Sequence, residues 1–310
     1  MKFYKNLTFC LLFAVFTPLF TANAQTTTAD STKNWSSEGQ VGLNFSNVGL
    51  VNWSGGGTSS YSFGAVLNYK AKRETEKAIT RLYTEMAYGM IYQDGTAFPL
   101  KKTDDQLVIG GDYSYKISPK FLATISGDFR SQFDDGYEYT VDDATKIETK
   151  NQISAFFAPA YLNVNAGLTY TPFDWMYGTL SPVGNRMTFV TDTVFSEKYG
   201  LEPGETFRNQ NGVNFKLGIK KEIVKNVTLQ STYNMFAEYS RLGEWVVNWD
   251  FLLDMKVNDW LSCNFATQLI YDPDVAVEKS DGTVGQAIQF KHALNIGIVY
   301  RLHQKKDKSE

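Results

Sequence analysis

From Gln40 to Arg301 the chain alternates apolar and polar residues, segment after segment, with a period of two rather than 3.6. Such alternation belongs to strands whose two faces meet different surroundings, because successive side chains of a strand point to opposite sides. In the first segment Val41, Leu43 and Phe45 share one face, while Gln40, Asn44 and Ser46 share the other. The same pattern runs through Tyr61 to Lys70, Leu82 to Met90, Gln106 to Lys116, Phe121 to Arg130 and Leu162 to Tyr170. A seventh segment, Trp175 to Leu180, alternates less cleanly. The C-terminal third repeats the pattern at Val213 to Ile219, Val227 to Glu238, Val247 to Lys256, Leu261 to Leu269 and Gln289 to Arg301. About twelve strands result, most near the ~9–11 residues that a tilted strand needs to cross a bilayer. Helical membrane spans are excluded, since no run of ~18 apolar residues lies beyond the N-terminus. With 43% hydrophobic and 15% aromatic residues the chain is not a disordered polymer. Its net charge of -3 offers no basic field for a nucleic-acid partner.

A soluble β-sandwich also alternates, so the connections must separate the two solvents. Ile117 to Lys120, Thr171 to Asp174, Lys221 to Asn226 and Asn258-Asp259 read as short turns; Asp134 to Asn151, Ser181 to Asn211 and Asp272 to Gly285 read as long loops. Short and long alternate, as in barrels with turns on the periplasmic side and loops outside; Arg73 to Lys77 is somewhat long for its side. Tyr61, Tyr69, Tyr92, Tyr115, Phe121, Phe133, Tyr170, Tyr239, Tyr271 and Tyr300 near strand ends fit two interfacial girdles. An open sheet edge in lipid leaves backbone groups unpaired at several kcal/mol each, so the ribbon must close on itself. The expected fold is all-β: a closed antiparallel transmembrane β-barrel of about 12 strands, an up-and-down meander over residues 35–302.

Lys2 and Lys5 precede the apolar stretch Leu7 to Phe20, and Ala22-Asn23-Ala24 then offers a small-x-small cleavage site. Residues 1–24 are therefore expected to be a signal peptide, 25–34 a polar periplasmic linker and 303–310 a periplasmic tail. An even strand count puts both termini in the periplasm of an integral outer-membrane protein. Beyond the signal only Cys263 remains, which excludes an intramolecular disulfide and a cysteine-based zinc site.

Asn52-Trp53-Ser54-Gly55-Gly56-Gly57 follows the first strand, and Lys102-Thr103-Asp104-Asp105 precedes the fourth. Further along come Ser131-Gln132-Phe133, Gly136-Tyr137, Ala158-Pro159-Ala160, Ser181-Pro182, Thr188-Phe189-Val190 and Tyr271-Asp272. In that order these pieces resemble an uncharacterised family of Bacteroidota outer-membrane barrels, the domain of unknown function DUF3078, across nearly the whole mature chain. The resemblance implies an outer-membrane barrel and brings no activity, ligand or catalytic residue. One departure is that barrels commonly end on an aromatic residue, whereas this chain continues past Leu302; Tyr300 is an internal aromatic at that place.

Enzymatic chemistry finds little support. A serine hydrolase needs a histidine beside its nucleophile, and only His292 and His303 follow the signal; His292 falls on the apolar face with Leu294 as its neighbour there. No catalytic residue, metal ligand or cofactor is expected. The glycine-rich loop of Asn52, Trp53, Gly55, Gly56 and Gly57 lacks the Lys-Ser/Thr of a P-loop and reads as a hairpin loop with an interfacial tryptophan. Asp134-Asp135, Asp142-Asp143 and Asp272-Pro273-Asp274 have no EF-hand register and read as solvated loop charge, with weak calcium binding as the other reading. The polar face is the expected functional surface: Glu85, Asp112, Asp128, Arg130, Lys216, Glu238, Asp250, Asp254, Lys256, Lys291 and Arg301 would project into the lumen. These charges either stitch the lumen shut or line a narrow aqueous path. The expected role is a non-enzymatic passive channel for small or hydrophobic solutes, with a plugged structural or assembly component as the alternative and an outer-membrane enzyme third. The expected partners are outer-membrane lipids and, during biogenesis, the outer-membrane assembly machinery.

Overall fold

The computed structural model describes residues 35–48, 59–142, 145, 147–279 and 283–303. The signal peptide, the linker, residues 304–310 of the tail and the loop of Asn52, Trp53, Gly55, Gly56 and Gly57 lie outside the described residues, as do the side chains of Arg301 and His303. Twelve strands form a closed barrel: β1 (Trp35–Val48), β2 (Ser60–Glu74), β3 (Ala78–Gln93), β4 (Leu100–Lys116) and β5 (Phe121–Ser131) come first. A separate hairpin, β6 (Gly136–Val141) and β7 (Glu148–Ser154), then interrupts the wall. The barrel resumes with β8 (Ala160–Phe173), β9 (Met176–Phe189), β10 (Phe207–Val224), β11 (Val227–Glu238), β12 (Trp245–Lys256) and β13 (Leu261–Tyr271). A small hairpin, β14 (Val277–Glu278) with β15 (Val284–Gly285), precedes the last strand, β16 (Gln289–His303). Each barrel strand pairs antiparallel with the next in the wall, and β1 closes on β16 with Val41 opposite Tyr300.

The meander arises because every strand offers one apolar face and a short reversal at one end. At the end where both terminal strands begin and finish, the connections are two to four residues: 75–77, 117–120, 174–175, 225–226 and 257–260. Arg73 to Lys77 is thus not long, because β2 runs to Glu74 and Thr75 closes the turn by donating its N–H to the Ala78 carbonyl at 2.8 Å. Likewise β10 runs to Val224, which shortens the expected Lys221–Asn226 turn to Lys225-Asn226, with Asn226 at φ 67, a conformation asparagine tolerates well.

Three expected boundaries move for identifiable reasons. β9 continues from the indistinct seventh segment through Ser181-Pro182 to Phe189, shrinking the expected Ser181–Asn211 loop to 190–206. Its pairing with β10 slips between Gly212 and Asn214, because Pro182 and Val183 form a bulge opposite Val213. Above the bulge Arg186 and Thr188 are buried; below it Thr179 and Ser181 are. The inward parity changes from even to odd, which is why a simple alternation is lost there. In β4 an extra residue, Thr103, opposite the Gly89/Met90 pair extends the strand back to Leu100 in the same way. The segment expected as the Asp134–Asn151 loop contains the β6/β7 hairpin, which sits outside the barrel wall.

The large apolar residues are on the outside. Phe45 is 69% exposed and Ile298 61%, and Leu43, Phe63, Ile125, Leu168, Leu294 and Ile296 are exposed with them. Inside, Ser114, Thr169, Thr188, Gln210 and Ser262 are buried. This inside-out arrangement is the opposite of a β-sandwich core.

Candidate functional site: the charged lumen

The polar faces meet in the lumen, and closure decides which charges become neighbours. Around the ring, β5 and β12, β10 and β1, and β10 and β3 stand five places apart, and β16 and β4 four. Side chains from these strands nevertheless touch. Arg130 on β5 reaches Asp250 on β12 at 4.0 Å, Lys291 on β16 donates to Asp104 on β4 at 2.7 Å, and Lys220 on β10 donates to Glu38 on β1 at 3.0 Å. Lys216, midway along β10, lies 6.0 Å from the ring centre of Tyr83 on β3. These contacts span the interior rather than follow its wall.

The remaining expected lumen residues pair locally. Glu85 faces Lys70 on β2 at 3.9 Å, and Asp112 accepts from Arg81 on β3 at 2.9 Å. Asp128 accepts from Asn163 at 2.9 Å, and Asp254 stands opposite Asn264 in the β12/β13 register. Lys256 turns to Asp259 in the adjoining turn at 2.7 Å, and Arg301 pairs with Gln40 through its backbone register. A ladder of hydroxyls, Ser114 to Thr124 (3.0 Å), Thr124 to Thr169 (2.7 Å) and Thr169 to Thr179 (2.8 Å), lines β4, β5, β8 and β9. Four uncharged inner-wall residues joined by hydrogen bonds give no charge signal, so sequence reasoning passed over them.

Burial divides the ion pairs. Lys220 and Glu38 are 53% and 54% exposed, and the Lys291–Asp104 and Arg130–Asp250 pairs are a third to a half exposed, so water stands beside them. Each such pair contributes only ~0–1 kcal/mol and is screened by salt. At the end carrying the long connections, Arg186 and Asp272 are 9% and 5% exposed, joined by an Nη2–Oδ2 hydrogen bond of 2.6 Å. Asp274 accepts from Arg241 (2.8 Å) and Gln210 (3.1 Å) and lies 3.1 Å from Arg208. Burial alone would raise the Asp274 carboxyl; the Arg241 hydrogen bond and the charges of Arg208 and Arg241 outweigh it and hold the group below the usual aspartate range. The expected solvated Asp272-Pro273-Asp274 loop is therefore a docked segment, its carboxylates taken by arginines. Sequence reasoning missed Arg186 and Arg208 because the bulge disguised β9 and because the start of β10 was read as loop.

At the same end, a cavity of about 290 Å³ lies beneath the β6/β7 hairpin, bordered by Lys102, Asp104, Gln132, Tyr137, Tyr139 and Lys291. Among the described residues no group of histidine, cysteine and acidic side chains is arranged to hold a metal ion. His292 is exposed on the outward face, its ring 6.0 Å from that of Phe290.

Several solved barrels are similar to this chain. An outer membrane channel from Pseudomonas putida F1 is 11% identical, with a TM-score of 0.38 over 89% of this chain and 100% of that one. The translocator domain of the autotransporter NalP from Neisseria meningitidis is 11% identical, with a TM-score of 0.34 over 96% of each chain. The toluene transporter TodX from Pseudomonas putida is 8% identical, with a TM-score of 0.31 over 88% of this chain and 89% of that one. No curated protein matches. Residues 45–137, from the end of β1 to the start of β6, match the model of the family described as "Protein of unknown function (DUF3078)", the uncharacterised family that the sequence motifs resemble.

Proposed function

We propose that this chain is an integral outer-membrane β-barrel with both termini in the periplasm, and that it passes small solutes through a narrow charged path along its lumen. The membrane placement is supported by the exposed Leu43, Phe63, Ile125, Leu168 and Ile296 on a closed wall without free edges. The orientation is supported by turns of two to four residues at one end and long connections at the other. Lipids cover the apolar belt, and the assembly machinery inserts the barrel.

The observation that carries the channel reading is the state of the cross-lumen ion pairs. Arg130–Asp250, Lys291–Asp104 and Lys220–Glu38 are partly exposed, which supports a lumen that water enters from both ends. Partly solvated pairs constrict a path and select by charge without sealing it as an apolar core would. The polar inner wall favours small polar solutes over hydrophobic ones on the axial route. Purified protein in planar bilayers is expected to give discrete, small openings. Silence at all voltages from protein that retains its folded, heat-modifiable migration in gels overturns this reading in favour of a plugged structural or assembly component. That second reading draws on the buried Arg186–Asp272 pair, which closes part of the mouth.

The role is non-enzymatic in this proposal. Its support is the placement of His292, which faces outward beside Phe290. Lipid or peptide turnover that disappears in His292→Ala overturns it.

A further inference from the structure

The connection between β13 and β16 enters the barrel mouth as a strap, and the residues that hold it form a site with a chemistry of its own. Asp272 and Asp274 lie two residues apart, and the Asp274 N–H donates to Asp272 Oδ1 at 3.0 Å, so both carboxylates are presented together. Val275 behind them is buried, its N–H donating to the Asp272 carbonyl at 3.2 Å, and Gln286 donates to the Pro273 carbonyl at 2.9 Å. Opposite stand Arg186 of β9, Arg208 and Gln210 of β10, and Arg241 of the short 3-10 turn Tyr239–Arg241.

These arginines are not equally committed elsewhere. Arg241 keeps Glu244 at 2.8 Å and Glu238 at 3.1 Å whatever the strap does. Arg208 has the Gly200 carbonyl at 2.7 Å and only a distant Glu238 at 3.7 Å. Arg186 stacks over Tyr161 at 5.0 Å, and its Nη1, though buried, has no hydrogen-bond partner among the described residues. With the strap withdrawn, Arg186 and Arg208 would face the mouth as two guanidinium forks, with Gln210 beside them still donating to Glu238 Oε2 at 3.0 Å. Planar forks of this kind match carboxylates in two-point hydrogen bonding.

We propose that Arg186, Arg208 and Gln210 form an entry site for small carboxylate-bearing anions, occupied in this conformation by the protein's own Asp272 and Asp274. The strap is a built-in competitor: a dicarboxylate that takes the two arginines displaces it and opens the mouth. The unpartnered Nη1 of Arg186 supplies a donor that the strap leaves unused and that a solute carboxylate can claim. This inference rests on the channel reading for its consequence, but the binding and the displacement stand apart from conduction.

The test uses the full chain, with Cys10→Ser and Cys263→Ser, carrying one nitroxide at Ala276→Cys, an exposed strap position. The folded protein is reconstituted in lipid nanodiscs and its spectrum recorded with succinate or with chloride at matched ionic strength. An immobilised label in chloride that becomes mobile in succinate supports the site. The Asp272→Asn/Asp274→Asn double variant is expected to be mobile in both, and Arg186→Met to abolish the succinate response. A label indifferent to succinate and to the double variant overturns the proposal, as does equal release by chloride, which reduces the effect to screening. If the label responds as expected and bilayers remain silent, the channel reading fails while the anion site stands.

Discussion

Gly167 in β8 shows how a single position carries the wall past an irregularity. The Pro182-Val183 bulge in β9 presses its backbone toward β8, and a Cβ at Gly167 would collide with the Leu180 carbonyl and the Ser181 Cα. Both obstacles are main chain and cannot swing away, so glycine is required by close approach. Gly167→Ala is expected to destabilise the barrel by about 1–3 kcal/mol through overpacking. Gly178 in the neighbouring strand has nothing within 4 Å of the same atom, and Gly178→Ala there should stay within ~0.5 kcal/mol of wild type. Guanidinium unfolding in micelles measures both; equal midpoints for the two variants would show that the bulge yields.

Among the elements, the β6/β7 hairpin is tied to the barrel through a few contacts, chiefly Glu148. Its carboxylate takes the Lys101 ammonium at 2.5 Å and accepts the Ala97 and Phe98 N–H groups at 3.1 and 3.4 Å. The Lys101 hydrogen bond outweighs burial and holds Glu148 below the usual glutamate range. A lowered carboxyl stabilises the docked hairpin above its unperturbed value, and that contribution is lost as pH falls through the lowered one. Hairpin amides, corrected for intrinsic exchange, should therefore keep their protection through about pH 4.3, the ordinary glutamate value, and lose it only below. Glu148→Gln should lose protection already at neutral pH. This hairpin is also where the sequence was least legible. Tyr137 and Tyr139 share one of its faces over only six residues of strand, too short to stand out from a loop. The barrel strands were legible because outward-facing and lumen-facing positions alternate, and illegible where β4 and β9 gain a residue and where β10 extends beyond its clearly alternating middle. Part of the lumen's charge could be read in advance where parity holds, but Arg186 and Arg208 could not, because the bulge in β9 and the early start of β10 hid them. Nor could the pairing partners: Arg130 and Asp250 are distant in sequence and face each other only because the wall closes.

For the whole molecule, the proposed channel makes closure the step that would turn a list of charges into a barrier whose height depends on the ionic medium. The pairs that cross the lumen are wet, and the pair under the strap is dry, so the two respond differently to salt. Between 0.1 and 1 M salt the screening length falls from ~10 to ~3 Å, which weakens exposed pairs far more than a buried one. Single-channel conductance should then rise more steeply than the conductivity of the bathing solution across that range. Asp250→Asn removes the carboxylate facing Arg130 across the lumen and leaves the neutral side chain beside Gln268, which donates to Asp250 at 2.9 Å in the wild type. In that variant conductance at 0.1 M should increase, and the excess dependence on salt should diminish. A conductance strictly proportional to bulk conductivity, the same in wild type and Asp250→Asn, would mean that ions do not pass these charges. The wetted interior would then be a sealed, hydrated filling rather than a path.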